Sequence, residues 1–185
     1  IEAAKTKPYG FMPFYPGPGL GGHCIPIDPR YLDWKLQTLN SESKYIKLSE
    51  EINFSMPHYV LSRIKKIKEK NKLKNNPLIV FGVSYKANVS DIRESPAIDL
   101  LKLFYEENIN FIYNDPYVKT LNIDGRIYNS EPLSDKLLQE AKLGIITTDH
   151  SDYNWENITN NISYIFDTRN ALRNTKSKKS TIYKL

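Results

Sequence analysis

Cysteine is nearly absent: the 185-residue chain carries one, Cys24, so no disulfide can close within it and a reducing, cytoplasmic setting is expected. Histidine is sparse as well. His23, His58 and His150 fall at spacings that match no metal-ligand pattern, so no metal is expected. No apolar run approaches the about 20 residues that span a bilayer, and no basic-then-apolar leader opens the chain. Neither a membrane span nor a secretory signal is expected. What remains, 40% hydrophobic and 25% charged residues, is globular composition. The length fits one full domain with a substantial extra segment, or two small domains.

The net charge of +5 is unevenly placed. Arg63, Lys65, Lys66, Lys68, Lys70, Lys72 and Lys74 oppose Glu69 alone, and Arg173, Lys176, Lys178, Lys179 and Lys184 meet no acid. These two runs exceed the whole net charge. The first lies at the end of an expected helix, where cations suit the macrodipole, and the second reads as a solvated basic tail over 173–185. Neither interleaves aromatic residues as a base-stacking surface would, so no nucleic-acid partner is expected.

Residues 1–43 hold six of the eleven prolines and five of the eight glycines. That density opposes regular helix or central strand, while Tyr9, Phe11, Phe14, Tyr15, Tyr31 and Trp34 oppose a floppy linker. An ordered loop is expected. Residues 44–74 then predict one long helix, with Leu48, Ile52, Met56, Val60 and Ile64 recurring every four residues and Ile67 continuing the stripe. Pro57 predicts a kink or restart within it. Core packing and a helix-to-helix subunit interface both account for the stripe.

From Pro77 onward, short apolar runs alternate with helical ones. Strands are expected at 78–83, 109–113, 143–147 and 164–166, and helices from Ser95-Pro96 and around 133–141. This alternation predicts a small doubly wound α/β domain with a mostly parallel sheet, after a long central helix. The domain division is accordingly 1–76, 77–172 and 173–185. In such a sheet ligands sit at the carboxyl ends of the strands, here 84–86, 114–115, 147–149 and 167–169.

The segment Pro16-Gly-Pro-Gly-Leu-Gly-Gly-His-Cys-Ile-Pro-Ile-Asp-Pro29 carries the sharpest chemical signal. It is not a dinucleotide fingerprint, because no strand precedes it and Pro26 and Pro29 oppose the helix that must follow. Its glycines would let backbone amides approach a ligand, and they leave Cys24 in an amide-rich turn where a thiolate can be stabilised. A lone cysteine is more often an inert small hydrophobe, but Cys24 lies on no apolar stripe.

That segment, extended back to Ala4-Lys-Thr-Lys-Pro-Tyr-Gly-Phe-Met-Pro-Phe-Tyr-Pro, resembles the UDP-glucose/GDP-mannose dehydrogenase family. Phe81-Gly-Val-Ser-Tyr-Lys-Ala-Asn-Val-Ser-Asp-Ile-Arg-Glu-Ser-Pro96, Tyr113-Asn-Asp-Pro-Tyr117 and Asp167-Thr-Arg-Asn170 follow in family order. Where UDP-glucose members read Phe-Gly-Gly-Ser-Cys-Phe-Pro-Lys-Asp, this chain has His23, Ile25 and Ile27 for Ser, Phe and Lys. The pattern resembles members acting on UDP-N-acetylglucosamine or UDP-N-acetylmannosamine.

The resemblance implies oxidation of a UDP-N-acetylhexosamine at C6 to the acid in two hydride transfers to NAD, through a cysteine-bound thiohemiacetal and thioester. It implies Cys24 as nucleophile and Asp28 as the nearby acid. Phe14, Tyr15, Gly19, Gly21 and Gly22 would line the substrate pocket, with Lys86 on the pyrophosphate or sugar and Arg169 on phosphate or uracil. Arg93 would reach toward the dinucleotide, though its spacing from Asp91 equally fits a local ion pair. The long helix would join copies of the protein into a homodimer or higher homo-oligomer. The family's N-terminal NAD-binding domain, general-base lysine and its asparagine partner are not found, so the chain is expected to be a portion of the enzyme and inactive alone. The alternative is a non-catalytic UDP-sugar-binding and dimerisation module.

Overall fold

The computed structural model describes residues 1–73, 76–176 and 179–185; Lys74 and Lys178 of the basic runs lie outside them. A short helix α1 (Glu2–Lys5) precedes an irregular stretch, then α2 (Cys24–Thr38) and α3 (Lys44–Lys70). The second half alternates β1 (Leu78–Phe81), α4 (Pro96–Glu106), β2 (Phe111–Asn114), the hairpin β3 (Thr120–Ile123) and β4 (Arg126–Asn129), and α5 (Asp135–Ala141). It closes with β5 (Leu143–Ile146), α6 (Trp155–Asn161), β6 (Tyr164–Asp167), a 3₁₀ turn at Ala171–Asn174, and β7 (Thr181–Lys184).

Five strands form one sheet in the order β2-β1-β5-β6-β7, every adjacent pair parallel. Parallel neighbours need crossovers, and helices supply them on both faces. Side-chain alternation along a strand decides which residue meets which layer. Leu78 and Val80 face the core built with Val60, Ile64, Leu100 and Phe104 of α3 and α4. Ile79 and Phe81 face the opposite layer, with Leu138 of α5 and Ile158 of α6. All four β1 residues are buried, which is why that strand reads as a continuous apolar run. All five strands run the same way, but the order in which they are added reverses at β1, with β2 on one side and β5 on the other, so the loops leaving β1 and β5 flank a switch point.

The long helix is capped where the sequence places its start, with the Ser43 hydroxyl accepting from the Ile46 amide. Of the kink or restart expected at Pro57, the restart does not occur: one helix runs through to Lys70. Its stripe divides. Val60 and Ile64 are fully buried in the core, whereas Leu48 and Ile52 remain 54% and 55% exposed.

The loop expected to run to residue 43 ends at Cys24, where α2 begins. Pro26 falls in the first turn, where a backbone N–H has no intrahelical partner to lose, and Pro29 sacrifices one bond. No glycine follows Gly22 until Gly82, so nothing further breaks the helix. Buried Asp33 ties its far end to the next helix, accepting from Gln37 Nε2 at 2.6 Å and the Ser43 amide at 3.2 Å.

The segment from Arg173 also departs from a frayed tail. Its residues 181–184 form β7, pairing Ile182 with Ile165 and Tyr183 with Phe166. Arg63 fastens this edge by donating to the Lys184 carbonyl at 3.1 Å. Among the described residues no helix is long and apolar enough to cross a membrane.

Candidate active site

The glycine-rich turn at 17–22 is held from three directions. The Leu20 amide donates to Asn53 Oδ1 on α3 at 2.7 Å, and the Gly22 amide donates to the Arg93 carbonyl at 3.0 Å. Gly19 lies against Pro96, at the start of α4. At Gly21 an added Cβ would stand 2.6 Å from the Glu94 carbonyl oxygen and 2.7 Å from Tyr85 Cβ. Gly22 has a φ of +87° and backs onto the Tyr85 ring, so both space and backbone exclude a side chain there.

This packing delivers Cys24, exposed, to the first position of α2. His23 is the N-cap and makes no side-chain capping bond. The first amides of a helix have no intrahelical acceptors, so the N–H groups of Cys24 and Ile25 face whatever occupies the space before the helix. Pro26 contributes none. Asp28 lies four residues on, hence on the same helical face one turn away, and is exposed.

The loop from β1 to α4 brings the cations. Lys86 is exposed, one residue beyond the tyrosine that packs on Gly22. Arg93 is chelated by Asp91, its Nε meeting Oδ1 at 3.1 Å and Oδ2 at 3.0 Å and its Nη2 meeting Oδ2 at 2.6 Å. That hydrogen bonding with Asp91 raises the guanidinium pKa above its ordinary value, with smaller contributions from Tyr85 and Cys24. Arg93 is therefore the local ion pair that its spacing allowed, and its carbonyl holds the Gly22 amide two residues before Cys24.

Arg169, after β6, lies against Gly17, where a Cβ would fall 2.1 Å from Nη1. Burial pushes its pKa down, opposed by Asp149 and Asp167. Tyr15 donates to the Glu2 carboxylate at 2.7 Å and, with Pro16, lines a groove of ≈ 230 Å³ ending on Asp167, Thr168 and Lys184. Phe14 is 57% exposed. The structure thus gathers Gly21, Gly22, Cys24 and Arg93 at one rim, with Lys86 beside it. Arg169, Gly17 and Tyr15 group at the ends of β6 and β7.

Beneath Lys86 lies a buried polar cluster whose members are far apart in sequence. The imidazole of His150 is wholly buried. Its Nδ1 accepts from the Asn88 amide at 2.9 Å, so Nδ1 carries no proton and Nε2 does. Nε2 faces Asp115 Oδ2 at 3.1 Å and Ser84 Oγ at 3.3 Å. Ser84 gives its own proton to the Lys86 carbonyl at 2.8 Å. Serine and carboxylate thus share one ring nitrogen, which is not the relay of a nucleophilic triad, where they use opposite nitrogens. Asp115 also accepts from the amides of Val83 (2.7 Å), Tyr117 (2.8 Å) and Val118 (3.0 Å). Burial opposes its charge, but these bonds and His150 hold the carboxyl below its usual pKa.

The all-parallel sheet, with its side-chain chemistry at the carboxyl ends of the strands and a cysteine at a helix start beside them, defines a doubly wound α/β protein with a cysteine-bearing site. The chain belongs to the UDP-glucose/GDP-mannose dehydrogenase family: residues 1–55 match its central domain and residues 79–174 its UDP binding domain. The UDP-N-acetyl-D-mannosamine dehydrogenase of Methanocaldococcus jannaschii is 35% identical over 180 residues, 93% of this chain and 39% of that protein. The NDP-N-acetyl-D-galactosaminuronic acid dehydrogenase of Ralstonia solanacearum is 34% identical over 75% of this chain and 31% of its own length. Among solved structures, the UDP-D-ManNAc dehydrogenase of Pyrococcus horikoshii superposes with a TM-score of 0.78 at 27% identity, covering 100% of this chain and 42% of that one. The chain spans about two-fifths or less of the proteins it matches.

Proposed function

We propose that this chain is the cysteine-bearing and UDP-sugar-binding portion of an NAD-dependent dehydrogenase that oxidises C6 of a UDP-N-acetylhexosamine to the uronic acid. The observation that carries the reading is the placement of Cys24, exposed at the first residue of α2, on a glycine turn bonded to the Arg93 carbonyl and packed against the Lys86 loop. The N-acetyl sugars in the relatives' names support the substrate class.

Cys24 supplies the sulfur that the second oxidation needs. Its thiolate adds to the C6 aldehyde, forming a C–S bond and an alkoxide, and the free amides of Cys24 and Ile25 can receive that charge. Loss of hydride from C6 leaves a thioester. Water then adds, the C–S bond breaks, the acid leaves and the thiol regains its proton. Asp28, on the same helical face, takes the proton from that water. Lys86 neutralises the pyrophosphate or the sugar acid, and Arg169 binds phosphate or uracil. Phe14, Tyr15, Gly19, Gly21 and Gly22 line the substrate.

NAD would take up the two hydrides. The amides of Val83 and Ser84 at the end of β1 are taken by Asp115, so those two donors are not open to a dinucleotide phosphate. Arg93, exposed and held by Asp91, fits a contact at the edge of the cofactor. The exposed half of α3, with Leu48 and Ile52, supports a homodimer formed through that helix.

Calorimetric titration of the chain with UDP-N-acetylglucosamine, UDP-glucose and ATP tests the proposal. Selective binding of the N-acetyl sugar supports it, and equal binding of ATP sinks it. In the dehydrogenase that contains this segment, Cys24→Ser stops acid formation while UDP-sugar binding persists.

A further inference from the structure

We infer that His150 is a positioning residue for Lys86: it fixes the loop that presents the lysine to the UDP-sugar from the opposite, buried side of the sheet's switch point. The inference rests on the reading of Lys86 as a substrate contact and adds a residue that this reading does not contain.

Lys86 sits between two anchors. On one side Ser84 is held at three atoms: its amide donates to Asp115 Oδ2 at 3.3 Å, its carbonyl accepts from the Thr148 hydroxyl at 2.6 Å, and its hydroxyl donates to the Lys86 carbonyl at 2.8 Å. On the other side Asn88 is held twice, its amide by His150 Nδ1 at 2.9 Å and its Oδ1 by the Ser151 amide at 2.9 Å. Asn88 has a φ of +63°, the left-handed turn conformation that asparagine accommodates more readily than most residues. His150 joins the two anchors, because Nε2–H reaches Ser84 and Asp115 while Nδ1 takes Asn88.

The ring itself has no freedom. It packs between Tyr117 and Tyr153, with centroids 5.0 and 5.7 Å away, and Tyr153 is fastened by its hydroxyl to the Asn114 carbonyl at 2.7 Å. Thr147, Thr148 and His150 all come from the exit of β5, so the Lys86 loop is registered against the neighbouring strand across the switch point. An exposed lysine on an otherwise unanchored loop would lose rotational and backbone freedom on binding an anion. This cluster removes the backbone part of that loss beforehand.

Two substitutions separate positioning from bulk stability. His150→Leu removes all three polar contacts of the ring, whereas His150→Asn can keep an acceptor at the Nδ1 position for Asn88. The expected result is UDP affinity about tenfold weaker in His150→Leu and largely restored in His150→Asn. Lys86→Ala should also weaken UDP binding, and combining it with His150→Leu should add little, since the lysine is already misplaced. Additive losses, or unchanged affinity in His150→Leu beside a clear Lys86→Ala loss, overturn the positioning role alone. No Lys86-dependent UDP binding in the unaltered chain removes the reading beneath it, and the inference with it. Amide hydrogen exchange on the unaltered chain needs no variant to fold: Asn88 N–H should be protected to nearly the level of the sheet amides, and rapid exchange there refutes the inference.

Discussion

The side-chain oxygen of Asn53 on α3 accepts the amide hydrogen of Leu20 at 2.7 Å, joining the glycine turn to the long helix across 33 positions of sequence. Together with Gly22 N–H on the Arg93 carbonyl, it determines where α2 begins and hence where Cys24 stands. Asn53→Ala should therefore free the turn at a cost of about 1 kcal/mol, the usual net worth of such a bond. Asn53→Asp, which keeps the acceptor, should cost less. Exchange of the Leu20 amide is the readout: faster in the alanine variant, close to the parent rate in the aspartate variant.

Gly10 and Gly22 make a controlled pair. Both have positive φ, +72° and +87°, but a Cβ at Gly10 meets nothing within 4 Å, whereas one at Gly22 comes within 2.8 Å of the Tyr85 ring. Gly10→Ala should cost only backbone strain, about 1 kcal/mol, and leave UDP-sugar binding alone. Gly22→Ala should displace Tyr85 and the neighbouring Lys86, weakening binding about tenfold. Calorimetry on the two variants checks this, and equal affinities would be inconsistent with the packing described.

One buried and one partly buried carboxylate should tilt stability in opposite directions with pH. Burial works against the charge of Asp115, but its hydrogen bonds prevail and hold the folded pKa below the ordinary 3.8. Its stabilisation is fully present above that value and is lost as pH falls through the folded pKa. Asp149 has the reverse sign: burial raises its pKa above 3.8, so the folded form keeps the proton longer and stability falls as pH rises through the raised value. Urea midpoints from about pH 3 to pH 7 should show a flattened acid limb for Asp115→Asn. Asp149→Asn, which still accepts from Trp155 Nε1, should be the more stable protein at neutral pH.

The sheet was legible because its strands are short apolar runs, and β1, β5 and β6 fall where the sequence predicts them. Ser95-Pro96 likewise marked α4 to the residue. The hairpin β3–β4 was missed although Asp124 and Gly125 carry its turn signal, since its strands mix polar and apolar residues without a long run. β7 was hidden by its lysine-rich approach, which reads as solvated chain until Ile182 and Tyr183 find β6.

At the site, the sequence pointed to Cys24, Lys86, Arg93 and Arg169, because those residues lie in contiguous motifs or at strand ends. Asn53 and His150 do not. The partners of Asn53 are 33 residues away, and those of His150 are between 35 and 66 away, so no local pattern could announce them. Proline density also misled: what matters at α2 is that Pro26 falls in the first turn rather than how many prolines surround it.

The unbroken course of α3 through Pro57 makes the two halves of the chain inseparable at the bench. Its last turns supply Val60, Leu61, Ile64 and Ile67 to the core beneath the sheet, while its first turns hold Asn53 and the glycine turn. A fragment trimmed to begin at Pro77 would carry strands stripped of one covering layer. One trimmed to begin at Ser43 would keep the cap, the layer and the anchor point. One helix thus carries both the covering layer of the sheet and the anchor of the turn that leads to Cys24.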